Sequence, residues 1–401
     1  MKILMINSVC GVGSTGRICT DIAKRLRIDG HECLIAYGRG TVLEQYRKYA
    51  IRIGSKLDVY LHGAQARLFD NAGFGSKCAT KLLIKKIEEY NPDVIHLHNL
   101  HGYYINVEIL FLYLKKANKP VVWTLHDCWA FTGHCVHYDA IGCQKWRSGC
   151  YQCSLKKSYP SSILMDRSAT NYQKKKTLFN MPDNITLITP SNWLADQVRQ
   201  SFLRKWSVQT IYNGIEYEVF HNTSSDIKNR YGLKNKKIAL GVANIWDERK
   251  GLMYMIQLSK LLGNSWTVVL IGLTHKQKET LPPDIIGIQR TDDLRELVAW
   301  YSAADVYVNV SAEETMGMTT AEAISCGTPI AAFDTTATSE IVGHNGITVE
   351  YGNVNELSKA INLISKKGKS FYQIDNSRFA LENQYREYLK LYEQLDGLRK
   401  Y

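Results

Sequence analysis

The chain has 401 residues, 45% of them apolar, which is material for two or three packed domains and excludes a largely disordered polymer. Its net charge of +12 sits almost wholly in the first half: residues 1–180 carry 26 Lys/Arg and 13 Asp/Glu, and residues 181–401 carry 24 and 25. No apolar run reaches 18 residues, which excludes a spanning helix, while the basic half calls for an anionic partner.

Residues 2–8 read as a buried strand running into Gly11. That run is too short for the core of an export signal, so a reducing, cytoplasmic setting is expected, without a disulfide framework for the ten cysteines. A helical pattern over 15–28 (Ile18, Ile22, Leu26) passes through Gly30-His31 into a second strand at 33–36. Residues 94–97 and 121–124 read as further buried strands. Strands separated by amphipathic helices predict a parallel sheet and an α/β fold. The pattern restarts after residue 180, with strand-like runs at 185–188, 237–242, 267–271, 306–310 and 329–333 and helical stretches at 294–303 and 357–364. The tail, 371–401, reads as a charged amphipathic helix with Phe379, Tyr385, Leu389 and Tyr392 near helical spacing. The expected division is a first domain over 1–182 with a Cys-rich loop at 128–160, a second over 183–370, and the helix 371–401.

Gly11-Val12-Gly13-Ser14-Thr15-Gly16 fits G-x-G-x-x-G between a strand and a helix. Glycines there let backbone approach a diphosphate, and a helix N-terminus favours its charge. A nicotinamide enzyme also wants an acid at the end of the second strand, where this chain has Tyr37-Gly38-Arg39. Arg39 suits a 2′-phosphate, so three readings stay open on these residues: an NADP-dependent oxidoreductase, another phosphate ligand, and a plain strand–helix turn.

Glu314 and Glu322 flank seven residues between a strand and a helix expected to start near Thr319 or Thr320. One carboxylate before an anion-binding helix start and another inside its first turns can hold sugar hydroxyls while backbone amides hold a phosphate. Two unrelated acids on a solvated helix would give the same spacing.

Continued by Ala323-Ile324-Ser325-Cys326-Gly327-Thr328-Pro329, this pair resembles the signature of glycosyltransferase family 4. The resemblance runs along nearly the whole chain: Gly11–Gly16, Gly30-His31-Glu32, Pro92 to His98, Thr124-Leu125-His126-Asp127, Pro190-Ser191, Asn213-Gly214-Ile215 with Phe220, Arg249-Lys250-Gly251 and Ser339-Glu340-Ile341-Val342. Gly73-Phe74-Gly75-Ser76 and the block from Trp123 to Cys153 look closer still to colanic-acid-type bacterial polysaccharide glycosyltransferases. The resemblance implies a GT-B fold of two Rossmann-like, doubly wound domains facing a cleft, with the C-terminal helix crossing back to the first domain. It implies a retaining enzyme that moves a sugar from a nucleotide-diphosphate sugar to a bacterial surface polysaccharide, and the basic first half adds the expectation of a lipid-linked glycan as acceptor. Glu322 would hold the donor ribose, Glu314 the donor sugar, and Met316-Gly317-Met318-Thr319 would present amides to the diphosphate. Lys250 would neutralise the leaving group, with Gly11 and Gly13 also on the donor side. His126 would sit by the donor sugar, and no protein base is assigned. The family's usual arginine six residues before that lysine is Asn244 here, and Arg249 is the candidate substitute.

Cys135, Cys143, Cys150 and Cys153 crowd one loop with His134 and His137, a set that suits a structural zinc, although two spacings exceed the usual C-x2–4-C. No cofactor is expected for catalysis. Lys81, Lys85, Lys86, Lys115, Lys116, Lys119 and Lys174-Lys175-Lys176, with Tyr103, Tyr104, Phe111 and Leu112 near them, predict contact with an anionic membrane surface, placing the chain peripherally at the inner face of the cytoplasmic membrane. Zinc-dependent nucleic-acid binding is the weaker reading, because no basic and aromatic module stands out and Rossmann-like domains argue against it; no nucleic-acid partner is expected. A sugar-nucleotide epimerase of the same fold is a competitor, disfavoured by the Glu314/Glu322 segment together with Thr124–Asp127.

Overall fold

A computed structural model describes residues 1–372 and 374–397. It contains two parallel sheets with helices between successive strands. The first comprises β1 (Lys2–Asn7), β2 (Glu32–Tyr37), β3 (Ala50–Arg52), β4 (Val94–Leu97), β5 (Val121–Thr124), β6 (Ile185–Thr189) and β7 (Ser207–Thr210), in the order β3-β2-β1-β4-β5-β6-β7. The second comprises β8 (Lys237–Val242), β9 (Trp266–Ile271), β10 (Ile285–Ile288), β11 (Val306–Asn309), β12 (Ile330–Asp334) and β13 (Gly346–Glu350), in the order β10-β9-β8-β11-β12-β13. Each sheet reverses its winding beside its first strand, which is the doubly wound pattern.

Helices cover both faces, so the central strands are apolar throughout. In β1, Ile3 and Met5 face a cluster with Ile18, Ile22 and Leu26 of the helix Gly13–Ile28. Leu4 and Ile6 face the opposite cluster, with Leu83, Ile87, Leu110 and Phe111. β8 alternates likewise: Ile238 and Leu240 pack with Trp300 and Ile324, and Ala239 packs with Met255, Leu258 and Leu357.

Two compact units result, Met1–Ile211 with the stretch from Tyr385 onward, and Tyr212–Gln384. The boundary expected at 182/183 is therefore too early. Ile185–Thr189 pairs with β5, and Ser207–Thr210 adds a further edge strand to the first sheet. Four strands absent from the predicted set, β3, β7, β10 and β13, are the four edges. The expected tail helix starts later, at Leu381, and residues 398–401 lie outside the described set. Three residues expected on a basic, membrane-facing surface are core instead: Tyr104, Phe111 and Lys175 are each no more than 1% exposed. No helix among the described residues is long and apolar enough to cross a membrane.

The C-terminal helix locks the first sheet through its tyrosines. Tyr388, Leu391 and Tyr392 join the cluster around Ile3 and Met5. The Tyr392 hydroxyl lies 2.6 Å from His96 Nδ1, while Thr124 Oγ1 lies 2.8 Å from both His96 Nε2 and the Tyr388 hydroxyl. Burial pulls the pKa of His96 from 6.5 down to about 3, with His126 adding to the effect. His62, also buried, is pulled down to about 4, chiefly by burial and against the pull of nearby backbone hydrogen bonds.

Both rings are neutral in the fold and titrate near 6.5 once unfolded. Their contribution is complete above pH 6.5 and is lost as pH falls toward their folded values. Each costs about 1.4 kcal/mol per pH unit in that window. The urea midpoint should therefore drop steadily from about pH 6.5 to pH 5, and a flat profile there would contradict the neutral burial of these rings. Tyr392→Phe leaves His96 Nδ1 without its partner and should destabilise the chain by about 1–3 kcal/mol in the same assay at pH 7.5.

Candidate active site

In the second unit the chemistry gathers where β8 and β11 end side by side. After β8, a 3₁₀ turn at Glu248–Lys250 is capped by Asp247, whose carboxylate accepts the Lys250 N–H at 2.9 Å. Gly251 closes the turn at φ 75°, and a Cβ there would stand 2.6 Å from the Val310 carbonyl. Only glycine lets this turn lie so close to the end of β11. The Ala312 N–H then donates to the Arg249 carbonyl at 2.8 Å. This stitching puts Lys250 Nζ in hydrogen-bond contact with Glu314 Oε1.

Glu314 is held from its backbone too. Its N–H donates to Thr336 Oγ1 at 2.8 Å, and that hydroxyl donates back to the Glu314 carbonyl at 2.7 Å. Thr336 sits at φ 43°, a left-handed conformation unusual for a β-branched residue. Burial would raise the Glu314 pKa, but Lys250 and Arg249 outweigh it, and the carboxyl is held below its ordinary value. Arg249 itself donates to the Glu313 carbonyl at 3.1 Å and lies 4.0 Å from Asp247. Asn244, in the arginine's usual place, is exposed in the loop after β8.

The helix after this loop is Met318–Ser325, with Gly317 at its N-cap in the left-handed region and no side-chain cap for its first amides. Thr319 and Thr320, the expected caps, lie within the first turn instead. Their hydroxyls instead brace the strand ends: Thr319 meets the Tyr307 hydroxyl at 2.8 Å, and Thr320 accepts from Asn309 at 3.0 Å. Met316 is buried, its sulfur accepting the Asn213 N–H at 3.1 Å, while Met318 is half-buried. Glu322 is 4% exposed and accepts from the Tyr301 hydroxyl at 2.9 Å. Tyr301 is itself buried, so the second carboxylate is presented from inside the fold.

In the first unit the ends of β4 and β5 carry histidines. His126, half-buried after β5, lies 3.0 Å through Nε2 from His98 Nδ1, with the two rings stacked. Burial brings His126 down to about 4, with Asp127 pulling upward and His101 downward, so it is neutral at pH 7. Asp127 Oδ2 accepts from His101 Nε2 at 2.6 Å, and its other oxygen accepts the Trp129 N–H at 2.9 Å. Asp127 thus holds His101 by a hydrogen bond and acts on His126 through its charge. His101 and Thr336 were not singled out from the sequence, and His98 was marked only as the end of the Pro92–His98 match. His96-x-His98-x-x-His101 ends β4, the parallel neighbour of β5, and that adjacency was the available signal for the histidines. Thr336 carries no local signature.

Gly11 and Gly13 both have positive φ, at 72° and 65°. A Cβ on Gly11 would strike the Tyr46 ring at 2.8 Å, and the Gly11 N–H donates to the Gly16 carbonyl at 3.0 Å. The loop is therefore a tight turn opening the helix Gly13–Ile28. Arg39 lies over the Tyr103 ring at 5.9 Å and hydrogen-bonds Tyr159, an engagement that gives no support to the oxidoreductase reading.

The four cysteines of the loop line one small cavity, all as free thiols. Cys135 pairs with Cys153, and Cys150 Sγ accepts the Gly133 N–H at 3.2 Å. His134 Nδ1 is taken by Asp70 Oδ1 at 2.6 Å. Among the described residues no group of three or more His, Cys, Asp or Glu is arranged to hold a metal ion, so these placements do not supply the ligand set for the expected zinc.

Family comparison agrees with this layout. The model described as Glycosyltransferase Family 4 matches residues 15–219, and that described as Glycosyl transferases group 1 matches residues 236–366. WcaC of Escherichia coli K12, named for glycosyl transfer in colanic acid biosynthesis, is 25% identical over 86% of each chain. Among solved structures, sucrose-phosphate synthase of Thermosynechococcus elongatus has a TM-score of 0.71 at 16% identity, covering 99% of both chains. The Anabaena protein HepE, solved with UDP, has a TM-score of 0.69 at 17% identity, covering 98% of this chain and 100% of its own; it has also been solved with UDP-glucose. With two doubly wound sheets and both halves matched, the chain belongs to glycosyltransferase family 4 and is a glycosyltransferase of the GT-B fold.

Proposed function

We propose that this glycosyltransferase moves a sugar from a nucleotide-diphosphate sugar to a lipid-linked, growing bacterial surface polysaccharide, with retention at the anomeric carbon. The observation that carries the reading is the Lys250–Glu314 pair at the end of β11, ahead of the uncapped helix that bears Glu322. The UDP and UDP-glucose complexes of HepE support a uridine donor, and the naming of WcaC supports a polysaccharide product.

In this reading Glu322 accepts hydrogen bonds from the ribose hydroxyls and Glu314 from those of the sugar. The amides from Met316 to Thr319 and the Lys250 ammonium receive the diphosphate. The bond from the anomeric carbon to the diphosphate breaks first, and charge grows on phosphate oxygens that fixed donors stabilise. The acceptor oxygen then bonds to the same face, and its proton passes to the leaving phosphate. His126, neutral at pH 7, hydrogen-bonds the sugar as a positioning group. No step calls on a cofactor.

A thermal-shift panel of nucleoside diphosphates tests the donor. UDP at about 100 times its dissociation constant should stabilise the fold by about 2.7 kcal/mol, and Glu322→Ala should abolish the shift. Stabilisation by NADP alone would overturn the transferase reading. With an acceptor in hand, Lys250→Ala should lower kcat by roughly 10²–10³ while UDP still binds. Product anomeric configuration, read by NMR, should match that of the donor; an inverted product would sink the mechanism.

A further inference from the structure

The helix Lys56–Phe69 wears its apolar stripe on the outside. Leu57, Tyr60, Leu61 and Leu68 are 63%, 73%, 52% and 40% exposed, at the spacing of one helical face. An amphipathic helix on a globular domain ordinarily turns that face inward. Here the inner face is held by polar bonds. His62, buried, accepts the N–H groups of Gly73 at 3.3 Å and Gly75 at 3.1 Å, and its other nitrogen meets Ser76 Oγ at 2.9 Å. Asp70, directly after the helix and also buried, accepts from His134 Nδ1 at 2.6 Å and from the Arg167 N–H at 2.7 Å. Rolling the helix to bury Leu57 and Leu61 would break these bonds.

A second apolar segment continues the stripe. Ile163 and Leu164 are each 65% exposed and Met165 is 41% exposed. The Ile163 N–H donates to the Arg67 carbonyl at 2.6 Å and the Met165 N–H to the Leu68 carbonyl at 3.2 Å, docking this segment on the helix end. Exposed apolar surface on this scale marks a contact surface. Its surroundings are basic: Lys56 and Arg67 are exposed on the helix, and a cavity of about 740 Å³ beside it is lined in part by Lys77, Arg167 and Lys174. The acids there are Asp58, whose carboxylate is engaged by the Ser55 hydroxyl and N–H, and Glu108.

We propose that this face docks on an anionic phospholipid bilayer. Leu57, Tyr60, Leu61, Leu68, Ile163 and Leu164 enter the boundary between headgroups and acyl chains, and Lys77, Arg167 and Lys174 meet lipid phosphates. The charge favours a bilayer over an apolar protein partner. The inference gives a location to the lipid-linked acceptor of the proposed function and rests on that reading.

Sedimentation of the full chain with vesicles tests it, using phosphatidylcholine alone or mixed with phosphatidylglycerol. Binding should prefer the anionic vesicles at low salt and weaken at high salt. The triple variant Leu57→Gln, Leu61→Gln, Leu164→Gln should lose about tenfold or more in partitioning. The double variant Lys77→Glu, Lys174→Glu, which leaves the apolar face intact, should lose the anionic preference and keeps the test decisive if the triple variant does not fold. Equal binding of wild type to both vesicle types, or undiminished binding by a folded triple variant, would overturn the proposal. So would a concentration-dependent dimer that the triple variant abolishes in a protein that ignores vesicles, since the face would then belong to a second copy. The UDP thermal shift of wild type and variants separates a failed docking surface from a failed transferase reading.

Discussion

Right-handed crossovers oblige a parallel sheet that is wound in both directions from its first strand to leave a gap where the direction reverses. This chain has two such gaps, beside β1 and β4 and beside β8 and β11. Neighbouring strands there send their following loops to opposite faces, so the space beyond their C-terminal ends is not filled by crossover chain. Candidate site residues lie at or next to both: Lys250 and Glu314 follow the two strands that flank the second gap, while His98 follows β4 at the first gap and His126 follows β5, one strand further out. The glycine turns at Gly11 and Gly251 serve the same constraint, since each admits a close approach that a Cβ would block.

Electrostatics divides the two units by role. The second pairs opposite charges at low exposure, which keeps Glu314 ionised and Lys250 oriented, at the expense of desolvating both. The first holds His96, His98 and His126 neutral by burial and lets them bond to each other, to Thr124 and to tyrosine. A polar but uncharged set of rings suits contact with a sugar, whose hydroxyls are uncharged.

The central strands were legible because burial on both faces forces unbroken apolar runs, as in Ile3–Ile6 and Trp266–Ile271. The edges were not, because an edge strand is short and half-exposed: Ser207–Thr210 alternates exposed and half-buried residues and looks like a loop. The same limit moved the domain boundary. Ile185–Thr189 has a clear strand pattern, but nothing local says which sheet it joins. At the site, Glu314 and Glu322 could be read because they share one short segment. The contacts Lys250–Glu314, 64 residues apart, and His98–His126, 28 apart, are products of strand order and have no trace in spacing. The apolar face of Lys56–Phe69 misleads for a related reason: its periodicity predicts a buried face, and only the distant bonds to His62 and Asp70 reverse it.

The paired thiols in the loop between β5 and β6 carry a chemical consequence of their own. Cys10, Cys19 and Cys33 are pushed up by burial and stay protonated at neutral pH. Cys153 is the exception: the hydrogen bond from the Cys135 thiol, with help from His134, overcomes burial and pulls it below its ordinary value. Since thiolate is the reacting form, an electrophile added to the native protein would select this half-buried sulfur over the core cysteines. In the first unit it would share that reagent with Cys78, the exposed thiol.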